Sequence, residues 1–196
     1  MLIHIFPNVH KWIVVDEQGI PMGCWLVENR GERVLIDPAW DEEVLPVLEK
    51  EKRPTAILLT TPHHERDVQR FREHFKIPVY ASEAAILPHA EPPDFPIRTG
   101  TLLPGELIPI PVDGAAAGEV LFFLPEQGGL LFVGDLFHTD AQAQVHLIDA
   151  RFASDIEAVK ASVRNRLLHY DFDVLLVSHG LPVLHHAREM VRQLVA

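Results

Sequence analysis

The chain carries a single cysteine, Cys24, so it can form no intramolecular disulfide and offers no thiolate spacing for a zinc finger. Its neighbours, Gly23-Cys24-Trp25-Leu26, read as a strand, where a buried thiol acts as a small hydrophobe. Basic residues are scarce, with 17 Lys and Arg against 28 Asp and Glu for a net charge of −11. That balance argues against nucleic acid as a partner, because phosphate affinity needs clustered cations. It leaves room for an anionic small molecule held by one local basic residue. No run approaches the ~20 apolar residues that span a bilayer. The opening MLIHIFPNVHKW lacks a basic stretch and is interrupted by Pro7-Asn8, unlike a signal peptide. The expectation is a cytoplasmic protein with a small-molecule ligand, no nucleic acid and no membrane partner. Repeats and linker-like stretches are also missing, so residues 1–196 read as one domain.

What is present is an ordinary core-forming composition, 47% hydrophobic over 196 residues, and an unusually high count of twelve histidines. LIHIF (2–6), WIVV (12–15), GCWLVEN (23–29) and ERVLID (32–37) are strand-like and separated by turns. DEEVLPVLEK (41–50) has helical spacing, although Pro46 sits inside it. TAILLT (55–60) is a continuous apolar run, as in a strand buried on both faces. HHERDVQRFREHF (63–75) predicts one helix, with Thr61 as its N-cap and Pro62 in the first turn. PVYAS (78–82) is a strand, and the proline-rich 87–106 reads as a long loop.

Strands follow at 106–112, 119–125 and 130–137, then a helix marked by the capping-box pattern Ser154-Asp155-Ile156-Glu157. DVLLVS (173–178) and a final amphipathic helix close the chain. Antiparallel strands first, then strands alternating with helices, predict a layered α/β protein.

Four apolar strands end in chemistry-bearing residues: Asp37 in VLIDP, the cluster in LLTTPHHERD, Asp135 in FVGDLFH, and His179 in VSHGLP. A rigid sheet positions such groups while the loops keep them accessible. Their order resembles the metallo-β-lactamase fold superfamily, from about residue 23 to the end. The resemblance implies a four-layered αββα sandwich with a metal site between the strand ends of its two sheets. Its typical members carry T-H-x-H-x-D-H after a buried strand, a later His in a glycine-rich turn, a Gly-Asp after a strand and a final His-Gly. Those residues hold one or two metal ions that activate water for hydrolysis of esters, thioesters, lactams or phosphoesters.

Carried over residue by residue, the resemblance puts Thr61 at the first histidine, His63 at the second, Glu65 at the aspartate and Arg66 at the last histidine of that motif. Ala115 falls at the histidine of the glycine-rich turn. Asp135 and His179 match the bridging carboxylate and the final histidine. The first metal position would thus lose two of its three histidines, and Arg66 cannot ligate a metal at all. On this count the expectation is at most one metal, not a two-metal site of the family's kind.

Two expectations follow. In one, a single ion (Zn, Fe or Mn) is held by His63, Asp135 and His179, with His64 as a possible ligand and Glu65 or His138 as the base, and the chain is a hydrolase. In the other, no metal binds, Arg66 occupies the vacated place paired with Asp135, and the chain is a non-catalytic binding or structural protein. Asp37 is expected to support the site in either case.

Overall fold

Alternation of side chains along the apolar strands decides the layering. In the computed structural model, which describes residues 1–50 and 52–196, β1 (Ile3–Phe6), β2 (Val9–Val15), β3 (Pro21–Asn29) and β4 (Glu32–Ile36) pair antiparallel in chain order. After α1 (Leu45–Lys50), β5 (Ala56–Leu58) lies parallel to β4. After α2 (Val68–Phe75), β6 (Val79–Ser82) and β7 (Phe95–Ile97) extend the same sheet in parallel, making seven strands.

The second half of the chain supplies β8 (Ile108–Pro111), β9 (Val120–Leu124) and β10 (Leu130–Val133), then a separate pair, β11 (Phe137–Thr139) and β12 (Val145–Leu147). It continues with α3 (Ile156–Asn165), β13 (Val174–Val177) and α4 (Ala187–Leu194). The second sheet runs β13-β10-β9-β8, parallel only between β10 and β13.

Successive residues of a strand point to opposite faces, so each buried strand feeds two cores. Trp25, Val27, Val34, Ile36 and Leu58 of the first sheet meet Phe122, Phe132 and Leu176 of the second in the central layer. Their neighbours Cys24, Leu26, Leu35 and Ile57 pack outward against Leu48, Phe71 and Phe75 on α1 and α2. Leu121, Leu131, Leu175 and Val177 pack outward against Val159, Val163 and Val191 on α3 and α4. Each large side chain buried this way contributes roughly 1.5–3 kcal/mol. Helix, sheet, sheet, helix is the αββα sandwich expected above.

Several boundaries differ from the sequence reading for identifiable reasons. α1 begins only at Leu45, which puts Pro46 in the first turn, where a missing N–H costs nothing. The expected helix 63–75 is broken: Pro62–His64 form a 3₁₀ turn, Arg66 is left-handed at φ +42°, and α2 starts at Val68. Thr61 precedes that turn in extended conformation, but its side chain makes no capping hydrogen bond. The proline-rich 87–106 is not all loop, because Phe95–Ile97 pair with β6 as an edge strand. The α3 cap is Asp155, which accepts from the Glu157 and Ala158 N–H groups, while the Ser154 hydroxyl turns to the Gly114 carbonyl.

Candidate metal centre

β4, β5, β10 and β13 all run toward the same edge of the sandwich and end in Asp37, Thr60, Gly134-Asp135 and Ser178-His179. The two sheets are joined at this edge by the hydrogen bond from Val120 N to Thr60 O, 2.8 Å. Gly134 lets them approach, since a side chain there would run into the Thr60 hydroxyl.

Asp37 is wholly buried and fully engaged. Thr60 donates its N–H (2.8 Å) and hydroxyl (2.5 Å), His64 Nδ1 lies 2.8 Å from Oδ2, and the Ser178 hydroxyl reaches the same oxygen at 3.4 Å. Burial by itself would push this carboxyl's pKa up. His64, Arg66 and Thr60 outweigh it and hold Asp37 below the usual carboxylate range.

His64 owes its place to the 3₁₀ turn. With three residues per turn, side chains three apart fall on the same side, so His64 follows the buried Thr61 inward. His63 points outward, its side chain 68% exposed. His64 Nε2 comes 3.1 Å from Asp135 Oδ1, close but without the alignment of a hydrogen bond. His179 Nε2 lies 3.3 Å from the same oxygen, and its Nδ1 donates to the Pro21 carbonyl at 3.1 Å.

Burial and the nearby Arg66 both work against a charged His64. Asp37 and Asp135 outweigh them and push its pKa up to about 9. Burial also opposes a charged Asp135, but contact with His179 and His64 carries that carboxyl well below the ordinary range.

Ligand atoms of His64, Asp135 and His179 all lie within 4.8 Å of one another, and they are the group among the described residues that could hold a metal. Two ligands each ~2.1 Å from one ion stand roughly 3.0–3.5 Å apart, and the 3.1 and 3.3 Å contacts fall in that range. Both imidazoles are oriented through Nδ1, by Asp37 and by the Pro21 carbonyl, which turns each Nε2 toward Asp135. Partners of this kind fix metal-binding histidines. The donor set fits one ion.

The other residues singled out in the sequence fall elsewhere. His63 is displaced by His64 from the tight group, though its Nδ1 remains 3.7 Å from Asp135 Oδ2. Arg66 does not pair with Asp135. Its Nη1 donates to the carbonyls of Asp37 (2.6 Å) and Gly23 (3.0 Å) and approaches Cys24 Sγ, because the left-handed turn aims it behind the centre. The side chains beside Asp135 are the imidazoles of His64 and His179. Glu65 is buried with Oε1 accepting from His89 N at 2.7 Å, committed to the neighbouring loop. His138 is exposed and stacks on His146 across the β11–β12 pair, with no hydrogen bond or ion pair to the centre. Ala115 is buried in the core beneath the second sheet. Thr61 is buried with its hydroxyl unpartnered.

The sequence reading missed Glu119. It is 2% exposed, and neither carboxylate oxygen has a hydrogen-bond partner. Burial first, and the charge of Asp135 second, push its pKa up to about 8. A glutamate abutting the wholly apolar VLFFL was the available signal. A cavity of about 490 Å³ opens beside His63, walled also by Glu65, Arg66, Ile86, His89 and Ala117 and by none of His64, Asp135 and His179.

Residues 24–179 match the family described as the metallo-beta-lactamase superfamily. No curated protein resembles the chain closely enough in sequence to count as a match. Among solved structures, a metallo-beta-lactamase from Pontibacter korlensis superposes with a TM-score of 0.76 at 22% identity, covering 100% of this chain and 98% of that one. The metallo-beta-lactamase FIM-1 from Pseudomonas aeruginosa, in its mono-zinc form, superposes at 0.75 and 20% identity, covering 100% and 94%. The protein TTHA1623 in a di-iron-bound form does so at 0.71 and 26%, covering 87% and 93%. The identities are low, but the family match takes in most of the chain, and with the αββα layering and the strand-end cluster it leaves one conclusion: this chain belongs to the metallo-β-lactamase superfamily.

Proposed function

We propose that the chain is a hydrolase of ester-like bonds that uses one divalent ion held by His64, Asp135 and His179. The observation that carries this reading is the convergence of those three side chains with both imidazoles oriented from behind. The unpartnered buried atoms of Thr61, His64 and Glu119 around them add support, since native interiors leave few such atoms without a ligand or water. Zinc and iron in the structural relatives make those ions the first candidates, with manganese beside them. When bound, the ion would polarise the scissile carbonyl and acidify water.

The chain's own residues do the rest. Asp37 keeps the His64 ring in place, and the Pro21 carbonyl does so for His179. The cavity beside His63 receives the acyl part of a small-molecule substrate against Ile86 and Ala117. His63 stands on that wall and within 3.7 Å of Asp135, so it is the group placed to carry a proton between substrate and centre. Among the described residues no helix is long and apolar enough to cross a membrane. We assign the protein to the cytoplasm, acting without nucleic acid or membrane.

One observation favours a second reading. Asp135 already touches two imidazoles, one of them with its pKa raised to about 9, so the centre is charge-compensated without an ion. A metal-free binding protein would then keep His64, rather than Arg66, as the internal cation. Thioester, lactone and phosphodiester hydrolysis, measured with and without added Zn²⁺, Fe²⁺ or Mn²⁺, separates the two. Metal-dependent turnover supports the hydrolase, and no turnover with any ion supports the binding protein.

A further inference from the structure

We propose that Lys11 is a positioning residue of this centre, whose ammonium fixes the 177–180 turn and hence the place of His179 without any bound ion. The inference rests on the reading above that His179 serves the site.

Lys11 is 3% exposed, in the middle of β2 opposite Trp25. A buried ammonium is costly, and burial pushes its pKa down to about 8. A methionine or leucine would fill a strand position of this kind without that cost. What an apolar side chain cannot do is donate hydrogen bonds. Lys11 Nζ donates to the carbonyl oxygens of Val177 (3.3 Å) and Gly180 (3.0 Å), and lies 4.9 Å from the centre of the Trp25 ring.

Those two carbonyls bracket Ser178 and His179. Between them, Gly23 N donates to Ser178 O at 2.7 Å and Thr139 N to His179 O at 3.1 Å. Every carbonyl from 177 to 180 therefore has a donor, and Lys11 supplies the two at the ends. It is the one side-chain donor of the set.

The arrangement extends to the other arm of the centre through a single peptide. Gly23 gives its N–H to Ser178, and its carbonyl receives Arg66 Nη1, which also holds the Asp37 carbonyl. A Cβ at Gly23 would stand 2.7 Å from Lys11 Cε and 2.9 Å from Ser178 O, so the glycine is what lets the lysine and the turn meet. Lys11 and Arg66 thus tie the His179 turn to the Asp37–His64 arm, both through neutral carbonyls.

The test is K11M in the full chain, stripped of metal with a chelator. Three quantities are compared with wild type: the unfolding temperature, the Zn²⁺ dissociation constant by calorimetry, and the ¹⁵N signature of the His179 ring in the metal-free protein. The expected result is a folded variant with Zn²⁺ binding weakened about tenfold or more, in the range found for outer partners of metal ligands. The His179 ring should also lose its single Nδ1–H tautomer. A folded K11M with wild-type affinity and ring signature overturns the proposal. Should wild type bind no Zn²⁺, the metal reading fails by itself, and the ring signature still decides the role of Lys11. Should K11M not fold, K11Q, which keeps a shorter neutral donor, is expected to be intermediate, and wild-type values in it overturn the proposal equally.

Discussion

His64 Nδ1 lies 2.8 Å from Asp37 Oδ2, and that contact turns the opposite ring nitrogen toward Asp135. Asp37 also takes both donors of Thr60, so its carboxylate links the end of β5 to the 3₁₀ turn. Replacing it with alanine leaves the Thr60 N–H and a raised-pKa imidazole buried without their partner. D37A is expected to lose roughly 3–5 kcal/mol of stability in urea unfolding, the range for breaking a buried ionic pair. A loss under ~1 kcal/mol would mean that Asp37 does not hold the turn.

His63 and His64 are adjacent in sequence and opposite in orientation, one exposed and one buried. H64A and H179A are expected to abolish stoichiometric Zn²⁺ binding by the stripped protein, whereas H63A keeps it and loses activity. Equal loss of binding in H63A and H64A would show that the tight turn does not select between them.

Stability of the metal-free protein should depend on pH with a definite sign. His64 holds its proton to about pH 9 when folded, against 6.5 for an ordinary imidazole. The stability this supplies is complete below 6.5 and is lost as pH rises through about 9. Glu119 acts the same way, because the unfolded chain releases that proton above 4.5 and the folded one keeps it to about 8. Asp37 and Asp135, both lowered, act in reverse and lose their contribution only in acid. The unfolding temperature is therefore expected to peak at mildly acid pH and fall toward pH 9. E119Q should unfold at a higher temperature than wild type at pH 8–9 and at the same temperature near pH 5. A wild-type profile that rises from pH 6 to 9 contradicts this assignment.

Gly23 is surrounded closely enough that one methyl group should be felt. G23A places a Cβ 2.7 Å from Lys11 Cε and 2.9 Å from Ser178 O, and backbone must move to admit it. Overpacking of this kind costs about 1–3 kcal/mol. Thermal unfolding would reveal it, and a neutral G23A would mean that Lys11 and the 177–180 turn have slack.

The layering was readable in the sequence because the buried strands alternate strictly between two cores, as Leu121 and Phe122 or Leu131 and Phe132 do. Asp37, Asp135 and His179 were readable because each lies within two residues of the end of such a strand. The choice between His63 and His64 was not. Motif spacing puts His63 at the ligand position, whereas the 3₁₀ turn that Pro62 starts carries His64 inward and leaves His63 exposed. Arg66 was misplaced for a related reason, since its left-handed backbone swings the guanidinium toward the Asp37 carbonyl and away from the Asp135 carboxylate. Glu119 and Lys11 match no position of the motif, and their burial shows only once the strands are packed.

The central claim is that one ion belongs between His64, Asp135 and His179. Metal content per chain, measured by plasma mass spectrometry on wild type and H64A purified without chelators and then saturated with Zn²⁺, Fe²⁺ or Mn²⁺, tests it most directly. One equivalent in wild type and none in H64A is the expected result. No metal in wild type, or two equivalents, would contradict the account.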